Sequence, residues 1–317
     1  MGTIPFVVAA ATLHGIMSVV RSAGNQSMLE KAYEMEPGPP PPNAEDYVAS
    51  CQDEWVRLLA SAPEEREVQT FLEKNPILLP GAWTPGTKSG HYPLHCAAIS
   101  QPVLPGLKAK VPDFMWVSQH SLTWYPTLIE IEKPSKRIFT AKGIPSAEFT
   151  QARNQLAEWR TWFSKPENVQ QLIASYGISD SFRFGRQMQL HMILVYGRRE
   201  EFQGSAQLSE QRGSLLTGAD EELMSFDRLA PDKDLFQAIT VRATGNGRYQ
   251  AIQIPPLFCL GPRLADRLLA IDGIQDALER DPLIEDARRK FLITRIRYWY
   301  DWVKNGKHGV IGSGDTE

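Results

Sequence analysis

Leu128-Ile129-Glu130-Ile131-Glu132-Lys133-Pro134 alternates apolar and acidic side chains, and the rest of the chain is read outward from it. A period of two predicts a strand over Thr127 to Glu132, with Ile129 and Ile131 on one face and Glu130 and Glu132 on the other. Upstream, Val111 to Val117 is a short apolar run that opens on Val111-Pro112-Asp113-Phe114. It is predicted as the neighbouring antiparallel strand, with Ser118 to Pro126 as the hairpin connection, so that Asp113 comes close to Glu130. Hard cations such as Mg²⁺ take oxygen ligands, usually one or two carboxylates completed by water and phosphate, and Asp113 with Glu130 meets that demand. On these residues alone a solvated strand face with a turn aspartate is the simpler reading.

The chain has 317 residues, 42% of them hydrophobic, enough for a real core in about two domains or one elaborated domain. Its net charge of −3 provides no global attraction to nucleic acid, so any such binding must come from local basic patches. Cys51, Cys96 and Cys259 lie far apart without a CxxC, which points away from a disulfide framework or a thiolate zinc site and toward a reducing cytoplasm. The apolar run Ile4 to Val20 has no basic residue before it and is broken by Thr12, His14 and Gly15. It is read as an N-terminal extension or the product of an upstream start, and not as an export signal or a membrane span.

Glu36 to Asn43, EPGPPPPN, forbids helix and favours an extended polyproline linker. Residues 1–44 are therefore expected to be an extension and linker whose order the composition leaves open. Residues 45–260 are expected to be the main domain and 261–317 a helical C-terminal appendage. Helices are predicted over Asp46 to Ala60 and from Pro63 to Asn75, the second ended by Pro76. His91 to Ile99 is predicted as a strand, followed by the Asp113 and Glu130 strands. Ser146 to Phe163 carries Phe149, Ala152, Leu156, Trp159 and Phe163 at helical spacing behind a serine N-cap, and Gln187 to Tyr196 reads as a buried strand.

That order of helix, three strands, helix, strand resembles the core of the PD-(D/E)xK nuclease superfamily, and a narrower likeness overlies it. Glu67 to Leu79 (EVQTFLEKNPILL), Leu128 to Trp162, Val195-Tyr196-Gly197-Arg198-Arg199 and Met224 to Leu229 resemble the Shedu-type domain of prokaryotic anti-phage defence proteins. The resemblance covers roughly 64–256. It implies an α/β, restriction-endonuclease-like core with helical N- and C-terminal additions. It also implies a Mg²⁺- or Mn²⁺-dependent DNA endonuclease, cytoplasmic and homo-oligomeric, facing a phage-derived trigger. A catalytically silent module that binds DNA or a phage protein as a sensor is the alternative.

Carried over residue by residue, the resemblance makes Asp113 and Glu130 metal ligands, with the Ile131 carbonyl as a further oxygen. Glu132 stands where the superfamily has lysine, and two roles are open to it, general base or third metal ligand. Lys133 follows on what alternation makes the opposite face and reaches inward only if the strand bulges or ends there. Otherwise the cation comes from Lys136, Lys142 or Arg153. Gln151 and Gln155 share one side of the following helix, where such nucleases place a glutamine near the metal. Glu67 is a candidate from the first helix, alongside the simpler reading of Glu64, Glu65 and Glu67 as acids at a helix N-terminus.

His91, His95 and Cys96 have suggestive spacing, but Pro93 spoils a helical pair, and a structural role is expected of them. Gly245-Asn246-Gly247 reads as a hairpin turn rather than a phosphate loop. Two basic clusters stand out. One is Arg183, Arg186, Arg198 and Arg199, and the other is the aromatic-interleaved stretch Arg288 to Lys307. The second suits either phosphate and base contacts or docking of an amphipathic helix.

Overall fold

The computed structural model describes residues 33–85, 91–106, 111–215, 218–307 and 314–317, so the run Ile4 to Val20 lies outside the described residues. Residues 36–317 form a single compact unit. Two helices, α1 (Ala44–Ala60) and α2 (Glu65–Lys74), precede three strands, β1 (Ala97–Ser100), β2 (Phe114–Gln119) and β3 (Thr123–Ile131). Then come helices α3 (Ala147–Phe163), α4 (Pro166–Tyr176) and α5 (Asp180–Arg183), and strands β4 (Gln187–Met188) and β5 (His191–Val195). The chain continues through α6 (Ala206–Ser214), β6 (Glu221–Met224), β7 (Ile239–Gly245) and β8 (Arg248–Gln253). It closes with α7 (Arg267–Ala270), β9 (Ile271–Asp272), α8 (Ile274–Arg280) and α9 (Asp286–Lys304).

Among the described residues, nine strands form one mixed sheet in the order β6-β5-β3-β2-β1-β7-β8-β9, with β4 beside β3. β2 and β3 are antiparallel as expected, but their hairpin is tighter than Ser118 to Pro126. The strands stay paired out to Gln119 and Trp124, and Pro126 lies inside β3 opposite Val117. A proline has no N–H to give a ladder, so it is poorly tolerated between two strands. The neighbouring segment accommodates it by breaking: β4 pairs with Thr123 and Trp124, the Gln189 N–H still reaches the Trp124 carbonyl at 3.0 Å, and strand pairing resumes with β5 at Thr127, past Pro126. The segment from Gln187 to Tyr196 is therefore two strands rather than one. The strand expected over His91 to Ile99 likewise begins only at Ala97, because Leu94–Cys96 forms a 3-10 turn in which His95 is left-handed.

Alternation along the central strands sorts the two faces. Phe114, Trp116, Ile129, Ile131, Ile193 and Val195 pack with Trp55 of α1 and with Val68 and Leu72 of α2. The opposite face carries Glu130 and meets α3, whose Phe149, Ala152, Leu156 and Trp159 are buried. Ser146 caps α3, accepting from the Phe149 N–H at 3.1 Å as its sequence position predicts. At the end of α4, Gly177 (φ 59°) abuts Gly247 (φ 70°) in the β7–β8 turn. A Cβ on Gly177 would lie 2.7 Å from the Gly247 Cα, and one on Gly247 2.9 Å from the Gly177 Cα.

The proline stretch before α1 is extended, and it is docked: Arg288 donates to the Pro39 carbonyl at 2.5 Å and Arg295 to Glu36 at 2.7 Å. Arg295 also holds both carboxylate oxygens of Glu317 at 2.7 Å, and the Trp299 indole donates to the same group. The acidic stretch Asp266 to Glu285 is not continuously helical, since β9 separates α7 from α8 and pairs with β8. Among the described residues, no helix is long and apolar enough to cross a membrane.

Candidate active site

The β2–β3 register sets Phe114 opposite Ile129, so Asp113 enters β2 directly across from Glu130. The Asp113 N–H donates to the Ile129 carbonyl at 3.1 Å, while its own carbonyl accepts from Gln101 at 2.8 Å. The Ile131 N–H therefore bonds the Asp113 side chain, at 2.8 Å from Oδ2, and the carboxylate is fixed in the ladder. Glu130, 8% exposed, accepts from the Gln155 amide through Oε1 at 2.6 Å. Its second oxygen, Oε2, is buried and meets no N–H or O–H donor, while the Asp113 and Glu130 carboxyls lie within hydrogen-bond reach of each other once one is protonated.

Burial pushes the Asp113 carboxyl up to about 7. The Ile131 N–H works against that rise, while Glu65 and Glu132 reinforce it. Glu130 is raised well above the usual carboxylate range, first by burial and then by Asp113, Glu132 and Glu65. Glu65 is raised as well, by partial burial and then by Glu132. Two carboxylates held together out of water cannot both carry charge comfortably without a cation or a proton.

Four acids thus share this end of the sheet, and one of them, Glu65, was hidden in the sequence among first-turn acids. Glu67 is turned away: its carboxylate accepts from the Glu64 N–H at 2.8 Å in a capping arrangement. Lys133 also points outward, to Glu64 at 2.5 Å. β3 ends at Ile131, and a turn closed by Lys136 N–H on the Lys133 carbonyl brings Lys136 back to pair with Glu132. That turn is braced from below. The buried Glu201 accepts from the Ile138 and Phe139 N–H groups at 2.9 and 2.8 Å. Gly197, at φ 67°, lies so close that a Cβ would meet the Lys136 carbonyl at 3.0 Å. Of the two glutamines on α3, Gln155 reaches Glu130, whereas Gln151 is exposed one turn earlier. Lys142 is exposed, and Arg153 lies part-buried on α3.

The other candidate residues have structural partners. Arg198 donates twice to Asp227, at 2.9 and 2.7 Å, and once to the Leu59 carbonyl at 3.0 Å, tying the end of β5 to the segment after β6 and to α1. Arg186 bonds the His120 carbonyl, and Arg183 pairs with Asp180. On α9, Arg288 and Arg295 are buried in the intramolecular bonds described above, and only residues such as Lys290, Arg297 and Lys304 remain outward. His95 packs edge-on to Tyr249, and burial lowers its imidazole to about 4. Among the described residues no three His, Cys, Asp or Glu side chains gather into a metal cage. What converges is a carboxylate pair, Asp113 and Glu130, with oxygen donors of the kind a hard divalent cation takes.

The architecture is a mixed α/β protein with a buried acidic cluster at the end of its central hairpin. The chain belongs to the Shedu family: the family model for the C-terminal part of Shedu protein SduA matches residues 62–230. Membership suggests a part in anti-phage defence. No curated protein matches the chain.

Proposed function

We propose that this protein is a divalent-metal-dependent DNA endonuclease of the PD-(D/E)xK type, acting in anti-phage defence. The observation that carries this reading is the Asp113–Glu130 pair, two cross-strand carboxylates set opposite each other by the β2–β3 register and raised by burial. The succession of α2, β1 to β3, α3 and, after two more helices and the short β4, β5 supports it, as does the amide of Gln155 on Glu130. The donor set fits Mg²⁺ or Mn²⁺, which takes one or two carboxylates and leaves the rest of its shell to water and phosphate. Asp113 and Glu130 would hold the cation, which supplies Lewis-acid polarisation of a phosphodiester when bound.

The chain's own residues do the positioning. The Ile131 N–H and Gln155 fix the two carboxylates in orientation. Glu132, kept close by Lys136, is placed to take a proton from an attacking water, and the Lys136 ammonium offers positive charge to the developing phosphate oxyanion. DNA as substrate and assembly into a homo-oligomer belong to the same reading.

The test is cleavage of supercoiled, linear and single-stranded DNA with Mg²⁺ or Mn²⁺ by wild type, Asp113→Ala, Glu130→Ala and Glu132→Ala. Products that disappear in the Asp113 and Glu130 variants support the assignment, and undiminished cleavage by pure Asp113→Ala protein would end it. A second reading is favoured by Glu132 in the lysine position and its neutralisation by Lys136: a silent nuclease-fold module that binds DNA or a phage protein. It is supported by salt-sensitive DNA binding without products at any metal concentration.

A further inference from the structure

The entry to β1 lies at the opposite end of that strand from Gln101, whose N–H reaches Asp113, and it borders a cavity of about 430 Å³. Tyr92, His95, Phe182, Arg263, Asp266 and Arg267 are among the residues lining it. Arg267 is 2% exposed, and both of its recorded hydrogen bonds go to main-chain carbonyls, those of Gln237 and Cys259, each at 3.0 Å. Its guanidinium also lies 4.3 Å from the Phe258 ring centroid. None of these recorded partners is a carboxylate, and Cys96 and Tyr92 beside the guanidinium stay protonated because burial raises both. Arg263 is exposed, and its recorded contact is the Tyr92 ring, 4.8 Å away.

A buried cation normally has an anionic partner, because carbonyl dipoles replace only part of the water it has lost. Here a second guanidinium points toward the same space. The wall between them holds two successive non-glycine residues in the left-handed region, His95 at φ 56° and Cys96 at φ 50°, a strain that persists where a site is being shaped. Cavities of this size with convergent polar groups and aromatic walls suit small ligands.

We propose that this cavity binds a phosphate-bearing anion of mononucleotide size. The phosphate would sit against Arg263 and Arg267, and the flat part of the ligand against Tyr92 and Phe182. Planar, forked donors such as guanidinium match phosphate oxygens bidentately. The site is separate from the carboxylate cluster and does not depend on nuclease activity.

The experiment is calorimetric titration of the full chain, metal-free, with inorganic phosphate, pyrophosphate, AMP and ATP, and with adenosine as the uncharged control. The Asp113→Asn variant is titrated in parallel, so that the carboxylate cluster cannot account for binding. The expected result is saturable binding of AMP or ATP, none of adenosine, and affinity at least tenfold weaker in Arg263→Glu. Arg267→Lys is added because Arg267→Met risks unfolding; it should also weaken binding. Arg263, exposed and in recorded contact with the Tyr92 ring, keeps the test open if Arg267 variants do not fold. Absence of saturable binding by every phosphate probe up to millimolar concentration would overturn the proposal. So would binding of AMP or ATP that Arg263→Glu leaves unchanged.

Discussion

Glu201 is the residue through which stability and the candidate site can be tested together. Its buried carboxylate accepts the Ile138 and Phe139 N–H groups and so fixes the turn that returns Lys136 to Glu132. Charge-assisted hydrogen bonds contribute about 1.5–3 kcal/mol each, and a buried donor left unmet costs a similar amount. Glu201→Ala strips both N–H groups of their acceptor but also removes the cost of burying a carboxylate, so the expected net loss is about 3 kcal/mol. For a protein of this length that corresponds to a melting temperature lower by roughly 4–6 °C. Glu201→Gln keeps one oxygen acceptor and should lose about half as much. Thermal unfolding followed by circular dichroism, with urea titration for the free energy, reads both variants. The cleavage assay should show Glu201→Ala weakened beyond its loss of folded protein, because Lys136 is no longer held. A Glu201→Ala melting temperature within about 1 °C of wild type would refute the reasoning, as would equal losses in the Ala and Gln variants.

Asp113 and Glu130 are raised in the folded protein above an unfolded value near 4, so the metal-free fold binds extra protons. That contribution is complete below about pH 4 and is lost as pH rises through the raised values of the pair, about 7 for Asp113. An Asp113→Asn, Glu130→Gln double variant should therefore gain stability relative to wild type between pH 5 and pH 8, and Mn²⁺ should stabilise wild type more at pH 8 than at pH 5.5. Thermal shifts across that range check both. Gln155→Ala removes the donor to Glu130 and should lower cation affinity or cleavage roughly tenfold, whereas Gln151→Ala should stay within about twofold of wild type. Leu72→Ala, at a side chain with no exposure, should cost about 2–5 kcal/mol in a denaturant titration and leave the metal response of the remaining folded protein unchanged.

The parts of this fold legible in the sequence are those set by local chemistry. Alternation around Glu130 defined β3, and spacing behind Ser146 defined α3 together with its cap. Asn246-Gly247 marked the β7–β8 turn. The tight β2–β3 hairpin was hidden because Pro126 reads as a breaker, and only the break between β4 and β5 shows how a strand can carry it. In the site, a Pro-Asp and a Glu on two runs that read as neighbouring antiparallel strands brought Asp113 and Glu130 together. Glu65 could not be told from its acidic neighbours, since which first-turn acid faces the sheet depends on how α2 is rotated in its packing. Lys133 and Lys136 were equally open as cations, and the choice turns on where β3 ends and on bracing by Glu201 from far along the chain. Whether the basic residues of α9 face phosphate or serve docking was open in the sequence, because nothing local reveals that Arg288 and Arg295 are consumed by the proline stretch and Glu317.

The mutual approach of Gly177 and Gly247 has a consequence for how this sequence can drift. A methyl at either position runs into the other's backbone, and methyls at both run into each other, so a second substitution cannot compensate the first. The positive φ at each adds an independent penalty for any L side chain. Gly185, where a Cβ would meet nothing within 4 Å among the described residues, carries only that conformational penalty. Among relatives, then, these two positions should be inherited as a unit, and loss of one glycine should accompany a changed turn between β7 and β8 rather than a repacked side chain.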